Sequence, residues 1–287
     1  MATIRALAPA KINLTLHVTG QRDDGYHLLD SLVVFVDVAD EIEASLAPEL
    51  SLTVSGPFAQ GVPTDATNLI MRAALALQKA RGVTQGAAMT LKKSLPHAAG
   101  IGSGSADAAA ALGLLAKLWK VAPLPPSAPE IVTLGADVPV CLHAPRPTRM
   151  SGIGDVLADI PPLPDAALVL VRPPVDVPTQ SVFRGLKKKD GRAMSPLSDR
   201  TDFAQFAAWL AAQRNDLLAT ARTLAPEIGT ALAKLDAMPA VAATGMSGSG
   251  ATCFGLVKDM AAARQAARIL QLSQMGWWVA PAAILAP

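Results

Sequence analysis

Three groups of residues in this 287-residue chain have the types and spacing to do chemistry. The first is the stretch "LPHAAGIGSGSADAAAAL" (95–112), where Gly100, Gly102, Gly104, Ser103 and Ser105 precede an alanine-rich run. Glycine is costly at a helix start and is kept where backbone must approach something closely or take positive φ. Successive amides at a helix N-terminus hold anions, and a triphosphate suits a loop of this length. The stretch is not a Walker loop, since no Lys-Ser or Lys-Thr pair closes it. Nor is it a dinucleotide fingerprint, since Ser105 stands where the third glycine belongs. The same residues could also make a tight strand-to-helix turn without a ligand, with Asp107 complementing the helix dipole in the first turn.

The second group is Lys11 in "AKINL" and Asp137 in "GADVPV". Phosphoryl transfer to an alcohol needs a carboxylate to accept the hydroxyl proton and a cation beside the developing charge; this pair supplies both if the fold unites them. Each has a plainer use: Lys11 as a solvated residue on the polar face of a strand, Asp137 as a helix N-cap. The third group is Tyr26, the only tyrosine, and His27, just after an Asp24-Gly25 turn. A ring to stack and an imidazole to hydrogen-bond make a base-recognition corner, or merely an exposed hairpin tip. Phe183 is a further stacking wall or a core residue. "SGSG" (247–250) repeats the glycine logic or is a flexible loop, and Lys187, Lys188 and Lys189 read as a solvated loop.

The elements that must position these groups are legible in outline. Alternation of Ile12, Leu14, Leu16 and Val18 against Lys11, Asn13, Thr15 and His17 predicts a half-buried strand. "LLDSLVVFVDVADEIEA" predicts a strand with a second shortly after. Thr67 is the expected cap of a helix ending at Gly82, "AAMTLKK" is a strand feeding the glycine loop, and a helix follows over 106–120. Beyond the proline-rich connection "VAPLPPSAP" come a buried strand at 167–171, a loop at 184–200, helices around 202–213 and 215–236, the second glycine stretch, a helix from about 259 and a final strand "WWVA". Strands and helices mix without strict alternation, which favours an α+β chain in two lobes over a doubly wound sheet.

Bulk composition narrows the partners. With 17% charged residues and a formal charge of +2 there is no broad basic field, so the expected partner is a small molecule rather than a nucleic acid or a membrane. Cys141 and Cys253 have no paired spacing and read as small buried hydrophobes, and the four histidines are scattered, so metal ligands stay unassigned. No eighteen apolar residues run together, and Lys11 and Asn13 interrupt the N-terminal segment; the expected location is cytoplasmic. A dinucleotide oxidoreductase would need an acidic residue about twenty positions after the loop, where "KVAPLPP" stands instead. A ribonucleoprotein-like module lacks a basic aromatic stripe.

Six ordered blocks resemble the GHMP kinase superfamily from end to end: "APAKINLTLHVTGQRDDGYHLLDSL", "LPHAAGIGSGSADAA", "LGADVPVCL", "SGIGDVL", "RNDLL" with "APEI", and "MSGSGATCFGL". "AKINL" together with "DGYH" is similar to the branch whose substrate is a cytidine-diphosphate derivative. The resemblance implies a two-lobed fold, with an N-terminal lobe like the second domain of ribosomal protein S5 and a ferredoxin-like C-terminal lobe. Residues 1–158 would be the ATP-binding domain and 159–287 the substrate domain, in a monomer or homodimer. It implies Lys11 and Asp137 as the catalytic pair, and ATP, accompanied by Mg2+, on Pro96, His97, Ala98, Ala99, Gly100, Ile101, Gly102, Ser103, Gly104, Ser105 and Ala106. It places Asn13, Tyr26, His27, Thr179 and Phe183 on the substrate side. The family loop reads Gly-Leu-Gly-Gly-Gly-Ser-Ser; here Ile101, Ser103 and Ala106 replace Leu, a Gly and a Ser. One hydroxyl is thereby lost, and Ser103 is expected in a backbone conformation usually given to glycine.

Overall fold

The fold is taken from a computed structural model that describes residues 3–286. Strands β1 (Ile4–Asn13) and β2 (His17–Gln21) take the place of the single strand expected from Ile12 onward. Between them the Thr15 hydroxyl accepts the Leu32 amide and the Thr15 carbonyl accepts the Ser31 hydroxyl, so side chains stand in for ladder bonds where the chain kinks. The alternation does not leave a wet face: Lys11, Asn13, Thr15 and His17 are at most 3% exposed. After the Asp24-Gly25 turn, with Gly25 at φ +93°, the strand expected of this segment is β3, unbroken over His27–Ala47, and the second expected shortly after it is the strand Ser51–Ser55. No Gly or Pro lies within 27–47 to punctuate the strand.

β4 (Ser51–Ser55), α1 (Leu69–Arg81) and β5 (Gly86–Lys92) follow. The cap of α1 is Asn68, whose Oδ1 accepts the Ile70 amide; the expected cap, Thr67, donates its hydroxyl to Asp65 instead. At the other end Gly82 takes φ +65° and its amide reaches the Gln78 carbonyl, a left-handed helix stop. α2 (Ser103–Leu118) begins three residues ahead of expectation, which moves Asp107 out of the first turn. Then come α3 (Pro129–Leu134), α4 (Val138–Cys141), β6 (Thr148–Gly152), β7 (Val156–Ala158), β8 (Ala167–Arg172), α5 (Thr179–Arg184) and α6 (Phe203–Ala211). The helix expected over 215–236 is two, α7 (Leu218–Leu224) and α8 (Glu227–Asp236). Pro226 forces the residue before it, Ala225, to an extended φ of −140°. β9 (Ala243–Met246), β10 (Cys253–Val257), α9 (Met260–Ser273) and β11 (Trp278–Ala283) complete the chain.

The chain forms two compact units. The first comprises residues up to Ala10, Ala39–His97 and Gly102–Ala144. There β4 pairs parallel with β5 and β5 antiparallel with the second half of β3, and Ile42, Leu52, Met89 and Leu91 pack with Ile70, Leu77, Leu112, Leu115 and Ile131 of the helices. The second comprises Lys11–Val38, Ala98–Ile101 and Pro145 onward. It contains the first half of β3, paired with β2 and β6, and a separate antiparallel sheet in the order β11-β8-β10-β9. Numbered within that sheet the order is 4-1-3-2, with α9 connecting β10 to β11, the ferredoxin-like arrangement. Its inner face packs Val169, Val171, Cys253 and Val257 against Leu217, Ile228, Leu235, Ala263 and Leu270. Cys141 and Cys253 are both buried, and burial pushes the Cys253 thiol up to about 12. Among the described residues no helix is long and apolar enough to cross a membrane.

Candidate active site

The end of β1 carries two of the expected site residues in one hydrogen-bonded set. Lys11 Nζ donates to Asn13 Oδ1 at 2.9 Å, and Asn13 Nδ2 donates to Ser31 Oγ at 2.8 Å. Orienting a buried ammonium by an amide oxygen fixes where its charge points, since a desolvated cation gains more from each partner than a surface one. Lys11 is 3% exposed, which rules out the solvated alternative.

Around this strand end the two glycine stretches interlock within the second unit. The Lys11 amide donates to the Ile101 carbonyl at 3.0 Å and the Thr252 amide to the Ala99 carbonyl at 3.1 Å. Ser247 accepts the Asn13 amide at its Oγ (3.0 Å) and donates the same hydroxyl to the Gly100 carbonyl (2.8 Å). Gly100 has φ +73°, and a Cβ there would collide with the Ser247 carbonyl oxygen. Gly248, at φ +56°, faces the Gly100 carbonyl in the same close way. "SGSG" is therefore a buried turn rather than a flexible loop. It is held from behind by Asn215 Nδ2, which donates to the Met246 and Gly248 carbonyls at 2.8 Å each.

Of the residues expected to recognise a base, His27 and Phe183 come together. The His27 ring lies 5.1 Å from the Phe183 ring, tilted by 33°, and Phe183 is half-buried against the second core. Burial, and then the charge of Lys189, hold the His27 pKa below its ordinary value, so the imidazole is neutral at physiological pH with one donor and one acceptor nitrogen. Its Nε2 is buried without a protein partner, an orphan polar atom of the kind a ligand satisfies. Tyr26, 57% exposed, stands at the hairpin turn. Thr179, the first residue of α5, shares a 2.8 Å hydrogen bond with Ser249 of the second glycine turn.

In the first unit, Asp137 occupies the N-cap position of α4 but its side chain makes no capping bond there, so the plainer use is not the one realised. The loop residues of this unit run from Pro96, buried, and His97, exposed, to Gly102–Ala106 at the start of α2. Gly102 caps α2 with no side chain, at φ +61°. The strain expected at Ser103 is absent: Ser103 is helical and its hydroxyl donates to the Pro96 carbonyl at 3.3 Å. Positive φ falls on Ala98 (+51°), Gly100 and Gly102. The hydrogen bonds that Ser247, Ser249 and Asn215 make to these loops were not read from the sequence. The glycine spacing around the serines and the asparagine in "RNDLL" were visible, but their contacts span 31 to 234 residues of chain.

An α+β chain with a ferredoxin-like sheet, a glycine loop opening a helix and a buried lysine at a strand end has the parts that a phosphotransferase needs. Comparison with known proteins agrees: residues 68–160 match the GHMP kinases N terminal domain and residues 194–274 the GHMP kinases C terminal domain. The chain belongs to the GHMP kinase family of small-molecule kinases, and within it to the 4-diphosphocytidyl-2-C-methyl-D-erythritol kinases. The protein of that name from Jannaschia sp. (strain CCS1) is 53% identical over 284 residues, 99% of this chain and 98% of the relative. That from Paramagnetospirillum magneticum is 50% identical over 286 residues, 99% and 100% of the two chains. A crystal structure of 4-(cytidine 5'-diphospho)-2C-methyl-D-erythritol kinase superposes with a TM-score of 0.78 at 31% identity, covering 98% of this chain and 99% of that one. Homoserine kinase from Cytophaga hutchinsonii shares the fold, with a TM-score of 0.69 at 16% identity, covering 99% and 95% of the chains.

Proposed function

We propose that this chain phosphorylates the 2-hydroxyl of 4-diphosphocytidyl-2-C-methyl-D-erythritol with ATP, a step of isoprenoid precursor synthesis by the non-mevalonate pathway. The observation that carries this reading is the interlock within the second unit: the Lys11 strand end, Gly100 of the glycine loop and the Ser247 turn are joined by direct hydrogen bonds. The His27–Phe183 corner, with its orphan Nε2, supports a nucleobase on the substrate side. The full-length relatives carry the same name. We also keep the division into an ATP-binding segment 1–158 and a substrate segment 159–287, in line with family matches over 68–160 and 194–274.

Left-handed Gly102 and the uncapped first turn of the sixteen-residue α2 support a place for ATP phosphate oxygens on the loop. The nucleotide supplies the phosphoryl group and the electrophilic phosphorus. Amides of the 96–106 loop hold its phosphates, and Ser105 adds a hydroxyl where Ala106 has none. Asp137 accepts the proton of the substrate 2-hydroxyl as its oxygen bonds the γ-phosphorus and ADP leaves, while the Lys11 ammonium lowers that hydroxyl's pKa and stabilises the negative charge on the attacking oxygen. Asn13 orients Lys11, His27 hydrogen-bonds the cytosine edge between Tyr26 and Phe183, and Thr179 lies on the same substrate side. Mg2+ is proposed only as the companion of ATP. Among the described residues no group of three or more His, Cys, Asp or Glu side chains could hold a metal ion.

The deciding measurement is turnover in a coupled ATP-consumption assay. Asp137→Asn keeps the shape but cannot take the proton, and kcat should fall roughly a hundred- to ten-thousand-fold. Turnover close to that of the parent would remove Asp137 from the role of base.

A further inference from the structure

The first unit contains a buried charge cluster that the phosphoryl-transfer chemistry does not use. Lys93, immediately after β5, is 2% exposed; Asp40 in β3 and Asp107 in α2 are 0% and 4% exposed. Lys93 Nζ donates to Asp40 Oδ2 at 2.5 Å and to Asp107 Oδ2 at 2.6 Å. The other oxygen of Asp40 accepts the amides of Ser94 (2.5 Å) and Leu95 (2.8 Å), the two residues before the phosphate loop. One carboxylate in the middle of a strand therefore grips the approach to the loop directly, and through Lys93 grips the helix that leaves it.

Three buried charges are a poor way to add stability, because desolvating each ion offsets most of the attraction. Their distinct property is geometric. Charge-assisted bonds are short and directional, and here they fix the span between residue 93 and residue 107, which the 96–106 loop must bridge. Preorganised loop amides hold phosphate without reordering on binding, so fixing that span favours nucleotide affinity.

We propose that Asp40 is a positioning residue for ATP: through Lys93 and the amides of Ser94 and Leu95 it sets the phosphate loop between β5 and α2. Asp40 touches neither substrate nor transferred group and acts only by holding the loop. The proposal rests on the assignment of the 96–106 loop to ATP. It separates Asp40 from a merely structural residue by which kinetic constant moves.

The test compares Asp40→Asn with the parent protein, with Lys93→Gln as a second variant should the first fold poorly. KM for ATP should rise about tenfold or more, the loss expected for a charged hydrogen-bond network, while kcat and KM for the cytidyl substrate stay within about twofold. Amide hydrogen exchange over 94–106, measured without nucleotide, should speed up in the same variants. A lowered melting temperature with unchanged KM for ATP and unchanged loop exchange would overturn the proposal. Faster loop exchange in variants of a parent that shows no saturable dependence on ATP would uphold the tether, overturn its role toward ATP, and locate the failure in the nucleotide assignment itself.

Discussion

Lys11 and Lys93 are both buried lysines at strand ends, and their surroundings give them different work. Lys11 is presented to the neutral amide oxygen of Asn13, which orients its charge; Lys93 is held between two carboxylates, which immobilise it. The second arrangement places one more negative than positive charge in the core. Burial, partly offset by Lys93 and reinforced by the neighbouring Asp40, pushes the Asp107 carboxyl up to about 7. An acid whose pKa is raised on folding destabilises the native state as it ionises: stability is greatest below the ordinary carboxylate value, falls as pH rises from about 4 to about 7, and then levels. Asp107→Asn keeps an acceptor for Lys93 and carries no charge. Its melting temperature should therefore gain on the parent's between pH 5 and pH 7.5, a shift that thermal denaturation at the two pH values reads directly. Parallel curves would show that Asp107 ionises in the fold without penalty. The residue types at this scale were legible: a lysine, an aspartate and a histidine with the right chemistry. Their burial was not, because a two-residue period marks which side chains share a face and says nothing of what covers it. Met194, Arg192 and Ser247 cover the Thr15, His17 and Asn13 side of the strand from 175 to 234 residues away.

The element that organises the site is a pair of loops. Gly100 and Gly248 approach backbone to backbone, and the Ser247 hydroxyl serves both the Asn13 amide and the Gly100 carbonyl. Gly100→Ala meets both a left-handed φ and the Ser247 carbonyl, so the loop must shift for the variant to fold. The expected loss is about 1–3 kcal/mol for the backbone strain alone. That corresponds to a melting temperature lower by several degrees, with the weakened ATP affinity visible as a higher KM. An unchanged melting temperature would mean that the two turns are not interlocked in solution. Local signals located both glycine stretches and most elements around them, because turn chemistry and helix stops are written within a few residues, as at Gly82. What local signals left open was pairing. The break at Ala225-Pro226 was missed within the helix expected over 215–236, although the proline signals it locally, whereas β6 and β7 owe their existence to β3, since neither "TRMSG" nor "VLA" has a period of its own.

At the scale of the whole molecule, fold and specificity separate. The α+β chain with its ferredoxin-like sheet is shared with homoserine kinase at 16% identity, so the architecture alone does not choose a substrate. On the function proposed above, the choice lies with the few residues that a nucleobase would meet. His27 is neutral, its Nε2 is buried without a partner, and Phe183 lies against its ring. A site built to hydrogen-bond a substrate group rejects analogues lacking it far more strongly than an apolar pocket rejects a missing methylene, because its own polar atoms are then left unpaired. The parent protein should therefore consume ATP with 4-diphosphocytidyl-2-C-methyl-D-erythritol and not with mevalonate or homoserine, and free cytidine nucleotides should compete with that substrate. His27→Ala removes the hydrogen-bonding ring and Tyr26→Ala the exposed one. Each should raise KM for the cytidyl substrate and weaken cytidine nucleotide inhibition, while KM for ATP stays near the parent value. Turnover of mevalonate or homoserine at a comparable rate, or cytidine inhibition that survives both substitutions, would move base recognition away from this corner while leaving the kinase fold and its phosphate loop as they stand.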